Sequence, residues 1–232
     1  MTQVTQLPKL QVLSLSNCYL SGLIDSSLQK LQFLSDIRLG QNNLSTKVPK
    51  FFAHLPNLRS LHLCSSNLHG KFPEKIFQVS TLEALDLLYN RLLQGFLPQF
   101  PPNGSLHTLV LSNTNFSGTL PDSIGNPKML SRIELPGYNF KGLISNTMEN
   151  LTQLVYLDLS SNLFTGTIPS FQMSKNITCI DLSYNSLTGH ISNNQFDGPV
   201  IGFSNESLPS LDTLDLSRNK LQGSIPSSFF EL

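Results

Sequence analysis

Residues 154–169 read LVYLDLSSNLFTGTIP, with Leu154, Leu157 and Leu159 followed by Asn162, Phe164, Gly166, Ile168 and Pro169. Moving that spacing along the chain finds further copies whose first apolar residue is Leu10, Leu34, Leu58, Leu82, Leu106, Leu130, Ile177 and Leu211. Successive copies lie 24 residues apart for six steps, then 23, then 34. A phase kept over so many intervals marks a repeat array, in which each unit buries its apolar face against its neighbours. The 232 residues are therefore read as a single solenoid and not as one or two compact globules.

Each position in the repeat has a physical reason. Leu157 and Leu159 alternate with polar residues, so a short strand turns them inward and shows the residues between them to solvent. Stacked copies make a curved parallel sheet on the concave face, in an α/β-class solenoid of about nine repeats. Asn42, Asn90, Asn162, Asn185 and Asn219 fall eight residues after a repeat start, where an inward amide can bond the backbone as the chain leaves the strand. They form a structural ladder, with Cys18, Ser66, Thr114 and Tyr138 in the same place elsewhere; Tyr138 is too large for it and predicts a local distortion. Gly22, Gly70, Gly118, Gly142, Gly166, Gly189 and Gly223 come four residues later, at a position that excludes a Cβ. Pro49, Pro73, Pro121, Pro169 and Pro226 then predict an irregular convex side with 3₁₀ segments. In repeat four the markers slip to Gly95 and Pro98, which one inserted residue near Leu93 explains.

The chain divides into the tail of a preceding repeat (1–9), repeats one to eight (10–192), an irregular half-repeat (193–210) and a shortened repeat nine (211–232). The half-repeat NNQFDGPV at 193–200 has no strand of its own and reads as a junction where sequence has been lost, or else as a loop on the convex side. The opening MTQVTQLPKL lacks the basic segment and apolar core of a secretory signal. Neither end carries a polar capping unit, so Leu7, Leu10, Phe229, Phe230 and Leu232 are expected to leave apolar cross-sections open.

Composition excludes several classes of function. Formal net charge is zero and only 13% of residues are charged, which gives no basic stripe for a phosphate backbone, so no nucleic acid is expected. No run of about 18 apolar residues occurs, so this segment makes no membrane contact of its own. Cys18, Cys64 and Cys179 are odd in number and far apart, and are read as free or structural thiols. His54, His62, His69, His107 and His190 show no metal-ligand spacing, and neither a phosphate loop nor a nucleophile elbow is present. The expectation is no enzyme, no catalytic residue, no metal and no cofactor.

The motif L-x-x-L-x-L-x-x-N-x-L-x-G-x-I-P resembles the plant-specific class of extracellular leucine-rich repeats. LSNCYLSG at 15–22, FPEKIF at 72–77, TNFSGTLPDSIGN at 114–126, LTQLVYLDLSSN at 151–162 and NNQFDGPV at 193–200 are similar to receptor-like proteins of the wilt-disease resistance type. That resemblance implies a signal peptide, cysteine-bearing caps, a long ectodomain, one membrane helix and a short tail without a kinase. It also implies the extracellular face of the plasma membrane, microbial or host-derived ligands, and signalling through a receptor-like kinase co-receptor. This chain corresponds to the central ectodomain part of that plan.

On the exposed face of the sheet the central row reads Ser14, Arg38, His62, Asp86, Val110, Glu134, Asp158, Asp181 and Asp215. The last three belong to the common LDLS form and are assigned to the fold. Repeats two to six depart from it. Arg38, His62 and Asp86, with Arg59 beside His62 and Tyr89 beyond Asp86, then His107, Arg132, Glu134 and Tyr156, are the candidate contacts for a peptide or protein ligand. N-glycosylation sequons begin at Asn43, Asn103, Asn115, Asn150, Asn176 and Asn205, with Asn43 and Asn115 expected to be exposed. The leading expectation is the ligand-recognition part of a plant immune receptor-like protein. The alternatives are an inhibitor of microbial cell-wall-degrading enzymes, as soluble proteins of similar motif are implied to be, and a shortened copy with no binding role.

Overall fold

A computed structural model of the chain describes residues 7–137, 139–189 and 208–225. Nine strands of three residues pair in parallel, each with the next in the array: Val12–Ser14, Asp36–Arg38, Ser60–His62, Ala84–Asp86, Thr108–Val110, Arg132–Glu134, Tyr156–Asp158, Cys179–Asp181 and Thr213–Asp215. Leucines and isoleucines stand opposite one another throughout, from Leu13 against Ile37 to Ile180 against Leu214. The longer step before the last repeat leaves this register intact, since Cys179 pairs with Thr213 just as Tyr156 pairs with Cys179. Most of residues 193–210, together with Tyr138, Asn205, Phe229, Phe230 and Leu232, lie outside the described residues.

The core is a column of these inward side chains. Leu61, Leu85, Leu109 and Leu157 are fully buried, as are Leu63, Leu87 and Leu159 two residues on. Each such residue contributes about 1.5 to 3 kcal/mol relative to exposure, so the stacking of repeats carries most of the stability. Behind the sheet Phe72 packs on Phe77 and Phe116 with ring centroids 5.3 and 5.6 Å away, and Phe140 stacks on Phe164.

Leaving the strand, the chain turns through a left-handed residue that is rarely glycine. Asn17, Gln41, Ser65, Tyr89, Asn113, Ser161, Tyr184 and Arg218 all have φ near +55°, and all occupy the same place in the repeat. In all of these but Arg218, which stands in the ninth repeat, the turn aims the N–H at the next repeat: Gln41 N donates to the Cys64 carbonyl at 2.7 Å and Ser65 N to that of Leu88 at 2.7 Å. A cost of about 1 to 2 kcal/mol for a non-glycine residue in this region is offset by a bond that joins two repeats.

The inward asparagines complete this join. The Asn90 amide donates to the carbonyls of Leu63 (2.9 Å) and Leu87 (2.8 Å), while its oxygen accepts from Ser66 N and Leu68 N. Asn42 repeats the arrangement with Leu15, Leu39, Cys18 and Leu20. Asn162, Asn185 and Asn219 likewise reach two carbonyls in their own repeat and one in the repeat before. Where Ser66 replaces asparagine, its hydroxyl still bonds the Leu39 carbonyl at 3.0 Å.

The convex side carries short 3₁₀ turns at Ser26–Lys30, Lys50–His54, Glu74–Gln78, Asp122–Gly125 and Asn146–Asn150. Two small parallel sheets, not expected from the sequence, run along the flank. One joins His69–Lys71, Leu92–Gly95 and Asn115–Phe116; the other joins Lys141–Leu143, Leu163–Gly166 and Ser186–Leu187. Their register locates the extra residue of repeat four. Lys141 pairs with Leu163 and His69 pairs with Leu92, an alignment that holds only if the added residue precedes Leu92. It is Arg91, in the turn after Asn90, and it makes Leu93 rather than Leu92 the buried residue there.

Candidate functional site

The strand register brings Ser14, Arg38, His62, Asp86, Val110, Glu134, Asp158, Asp181 and Asp215 into one row across the concave sheet. Aspartates in this row have a structural task. Oδ1 of Asp158, Asp181 and Asp215 accepts the N–H two residues on, from Ser160, Ser183 and Ser217, at 2.8 to 2.9 Å. Asp86, placed by its sequence context among the variable positions, does the same with Leu88 N at 3.0 Å. Its second oxygen faces His62 Nδ1 at 3.7 Å, and Ser60 Oγ lies 3.3 Å from His62 Nε2.

Arg38, His62 and Asp86 line one groove of about 450 Å³. Its remaining walls are Ser16, Gly40, Gln41 and Cys64, none of which the central row alone would have singled out. Their signal was available two and three residues past that row, where the strand has ended but the chain still faces the same side. Arg38 is only loosely held on the wall of this groove, with its guanidinium 3.9 Å from Asp36 and its side chain half exposed. Burial pushes the Cys64 thiol above its ordinary range, and the neighbouring Asp86 carboxylate adds to the effect, which keeps the sulfur protonated and unreactive near neutrality.

Arg59 does not lie beside His62. It sits three residues earlier, at the entry of the strand, and its guanidinium pairs with Glu83 of the next repeat at 2.6 Å. Three residues of extended chain separate the two side chains by about 10 Å, so Arg59 belongs to the rim. Tyr89 is exposed at the opposite rim, held there by its left-handed turn.

The other candidates form a second cluster. Arg132 bonds Glu134 through Nε and lies over the Tyr156 ring, 4.3 Å from its centroid. That ring and that carboxylate fix the guanidinium plane while leaving the side chain about half exposed. Tyr156 has its phenol pushed up by burial first and then by Asp158. His107 lies between the clusters and has a buried Nδ1 without a partner. Val110 is buried in the central row and separates the two polar groups, so the face offers two anchor points and not one continuous charged stripe.

Asn43, Asn103, Asn115, Asn150 and Asn176 are all exposed, and none stands on a strand of the nine-stranded sheet. Asn43 and Asn115 lie on the flank, where their Oδ1 atoms accept from Asn67 at 2.8 Å and Asn139 at 3.2 Å.

Two leucine-rich-repeat family models match the chain, one over residues 8–68 and the other over 105–127, 153–172 and 210–232. Receptor-like protein 39 of Arabidopsis thaliana is 32% identical over 226 residues, covering 94% of this chain and 21% of the relative. Receptor-like protein 6 of the same plant is 34% identical over 143 residues, covering 57% of this chain and 14% of the relative. The chain thus spans only a small part of the length of these relatives. Among solved structures, the Arabidopsis receptor kinase HAESA, in complex with the peptide hormone IDA and the co-receptor SERK1, superimposes with a TM-score of 0.85 at 29% identity, covering 98% of this chain and 37% of HAESA. Two repeat models that together span more than half of the chain, on a stack whose strands pair in register from the first repeat to the ninth, make it a member of the leucine-rich-repeat family, similar within it to the plant receptor-like proteins.

Proposed function

We propose that this chain is the ligand-recognition part of a plant cell-surface immune receptor-like protein. It binds a peptide or protein ligand across the concave sheet and signals only through a receptor-like kinase co-receptor. The observation that carries the reading is the groove at Arg38, His62 and Asp86 on a face free of every described sequon. A bound chain would meet a half-free guanidinium at one end and, past Val110, the oriented Arg132 and Tyr156 at the other. Exposed arginine and aromatic anchors set in a polar surround are the composition from which protein recognition draws most of its energy. The likeness to HAESA, solved with a peptide hormone and a co-receptor, supports the same use of the fold here. In this reading the protein stands on the extracellular face of the plasma membrane and its exposed sequons carry glycans.

Selection of short random peptides against the chain tests this. Enriched peptides should lose roughly tenfold or more in affinity, about 1.4 kcal/mol, to the double variant Arg38→Ala/His62→Ala, with the melting curve unchanged. Peptides that bind that variant and Arg132→Ala as well as the parent would move the site off this face.

A further inference from the structure

The chain as a whole is neutral, with 15 basic and 15 acidic residues, yet its lysines are not evenly spread. A second cavity of about 630 Å³ opens on the convex flank of repeats two and three, away from the concave sheet. One wall is Lys47 with Lys50 and His54, the two ends of the Lys50–His54 turn. The opposite wall is Lys71, with Glu74 and Lys75 from the Glu74–Gln78 turn. Glu74 is the single carboxylate among the lining residues, and Lys71 occupies it at 2.8 Å. Among the described residues no ion pair holds Lys47, Lys50 or Lys75.

The floor is apolar, made by Val48, Phe72 and the half-buried ring of Pro73. Gly70 has φ +76° and no side chain, and the Lys47 stem lies across it, with Cγ 3.3 Å from where a Cβ would stand. This repeat position therefore lays an aliphatic stem along the floor while leaving the ammonium group at the edge.

We infer that this cavity binds an anionic oligosaccharide, a chain of sugar rings bearing carboxylates. Several unpaired ammonium groups around a recess favour a ligand with spaced negative charges. Pro73 and the lysine stems suit the C–H faces of sugar rings. An extended acidic peptide is the poorer fit, because the edge strand beside the cavity, His69–Lys71, is only three residues long and its His69 N is already bonded to Thr46 O of the repeat before. A flat lipid surface cannot enter a recess.

Titration of the chain with an oligogalacturonate of about ten units, followed calorimetrically at low salt, tests the inference. Binding is expected for the free acid, absent for its fully methyl-esterified form, and lost at about 1 M salt, where charges are screened beyond about 3 Å. Lys47→Gln/Lys50→Gln/Lys71→Gln/Lys75→Gln should weaken it at least tenfold, whereas Lys30→Gln/Lys141→Gln should leave it unchanged. If the quadruple variant melts early, Lys50→Gln/Lys75→Gln, which breaks no described ion pair, should still show the loss. No binding, equal binding of the ester, indifference to these lysines, or tighter binding of poly-glutamate or of anionic lipid vesicles would each overturn it.

Discussion

Asn90 shows how one side chain can join two turns of a solenoid. Its amide bonds carbonyls in two repeats and its oxygen takes two N–H groups, all out of reach of water. Asn90→Ala would leave those backbone groups buried and unpaired, and is expected to destabilise the chain by about 3 kcal/mol in urea unfolding. Asp158 makes a different statement. Its carboxyl is pushed above the ordinary 3.8 by burial first, then by Asp181, and this outweighs the lowering by its bonds to Ser160. The folded state therefore holds the proton more tightly than the unfolded state does. Stability falls as pH rises from 3.8 through the folded value and stays reduced at neutrality. Asp158→Asn keeps an acceptor for Ser160 N and removes the charge, so it should raise the urea midpoint at pH 7 and lose that advantage below pH 3.8.

At the scale of the element, the 3₁₀ turns on the convex side stack closely enough for glycine to matter. A methyl group built on Gly125, which ends the Asp122–Gly125 turn, would run into the Thr147 carbonyl of the Asn146–Asn150 turn. Gly22, with φ +84°, has nothing within 4 Å of its missing Cβ. Gly125→Ala should cost about 3 kcal/mol through steric displacement of backbone. Gly22→Ala should cost only about 1 kcal/mol, for the left-handed conformation alone. Equal effects in a urea titration would refute this account of the packing. The glycine at Gly22 was legible from the repeat spacing, whereas Gly125 was not, because its reason lies in a neighbour from another repeat. The flank sheets escaped sequence reading for a similar reason. Leu163, Phe164 and Thr165 alternate exposed, buried and exposed, but a run so short has no distinct period of its own.

At the scale of the whole molecule, the exposed sequons divide the surface. Passage through a plant secretory pathway should attach glycans at Asn43, Asn103, Asn115, Asn150 and Asn176, and mass mapping after enzymatic deglycosylation would find the concave sheet unmodified. A glycan on a strand of that sheet would contradict the binding face proposed for it. The sequence by itself determined the solenoid, because an apolar period of 24 residues can be satisfied only by stacking each unit on the next. It also determined the central row, since residues at one place in every repeat must share one face. Only the tertiary structure decided which residues of that face cooperate. His62 meets Asp86, Arg132 meets Tyr156, and Arg59 turns away to Glu83. Those partners lie about 24 residues apart, and side-chain reach and rotamer, which no periodicity encodes, select among several neighbours on the adjoining strands.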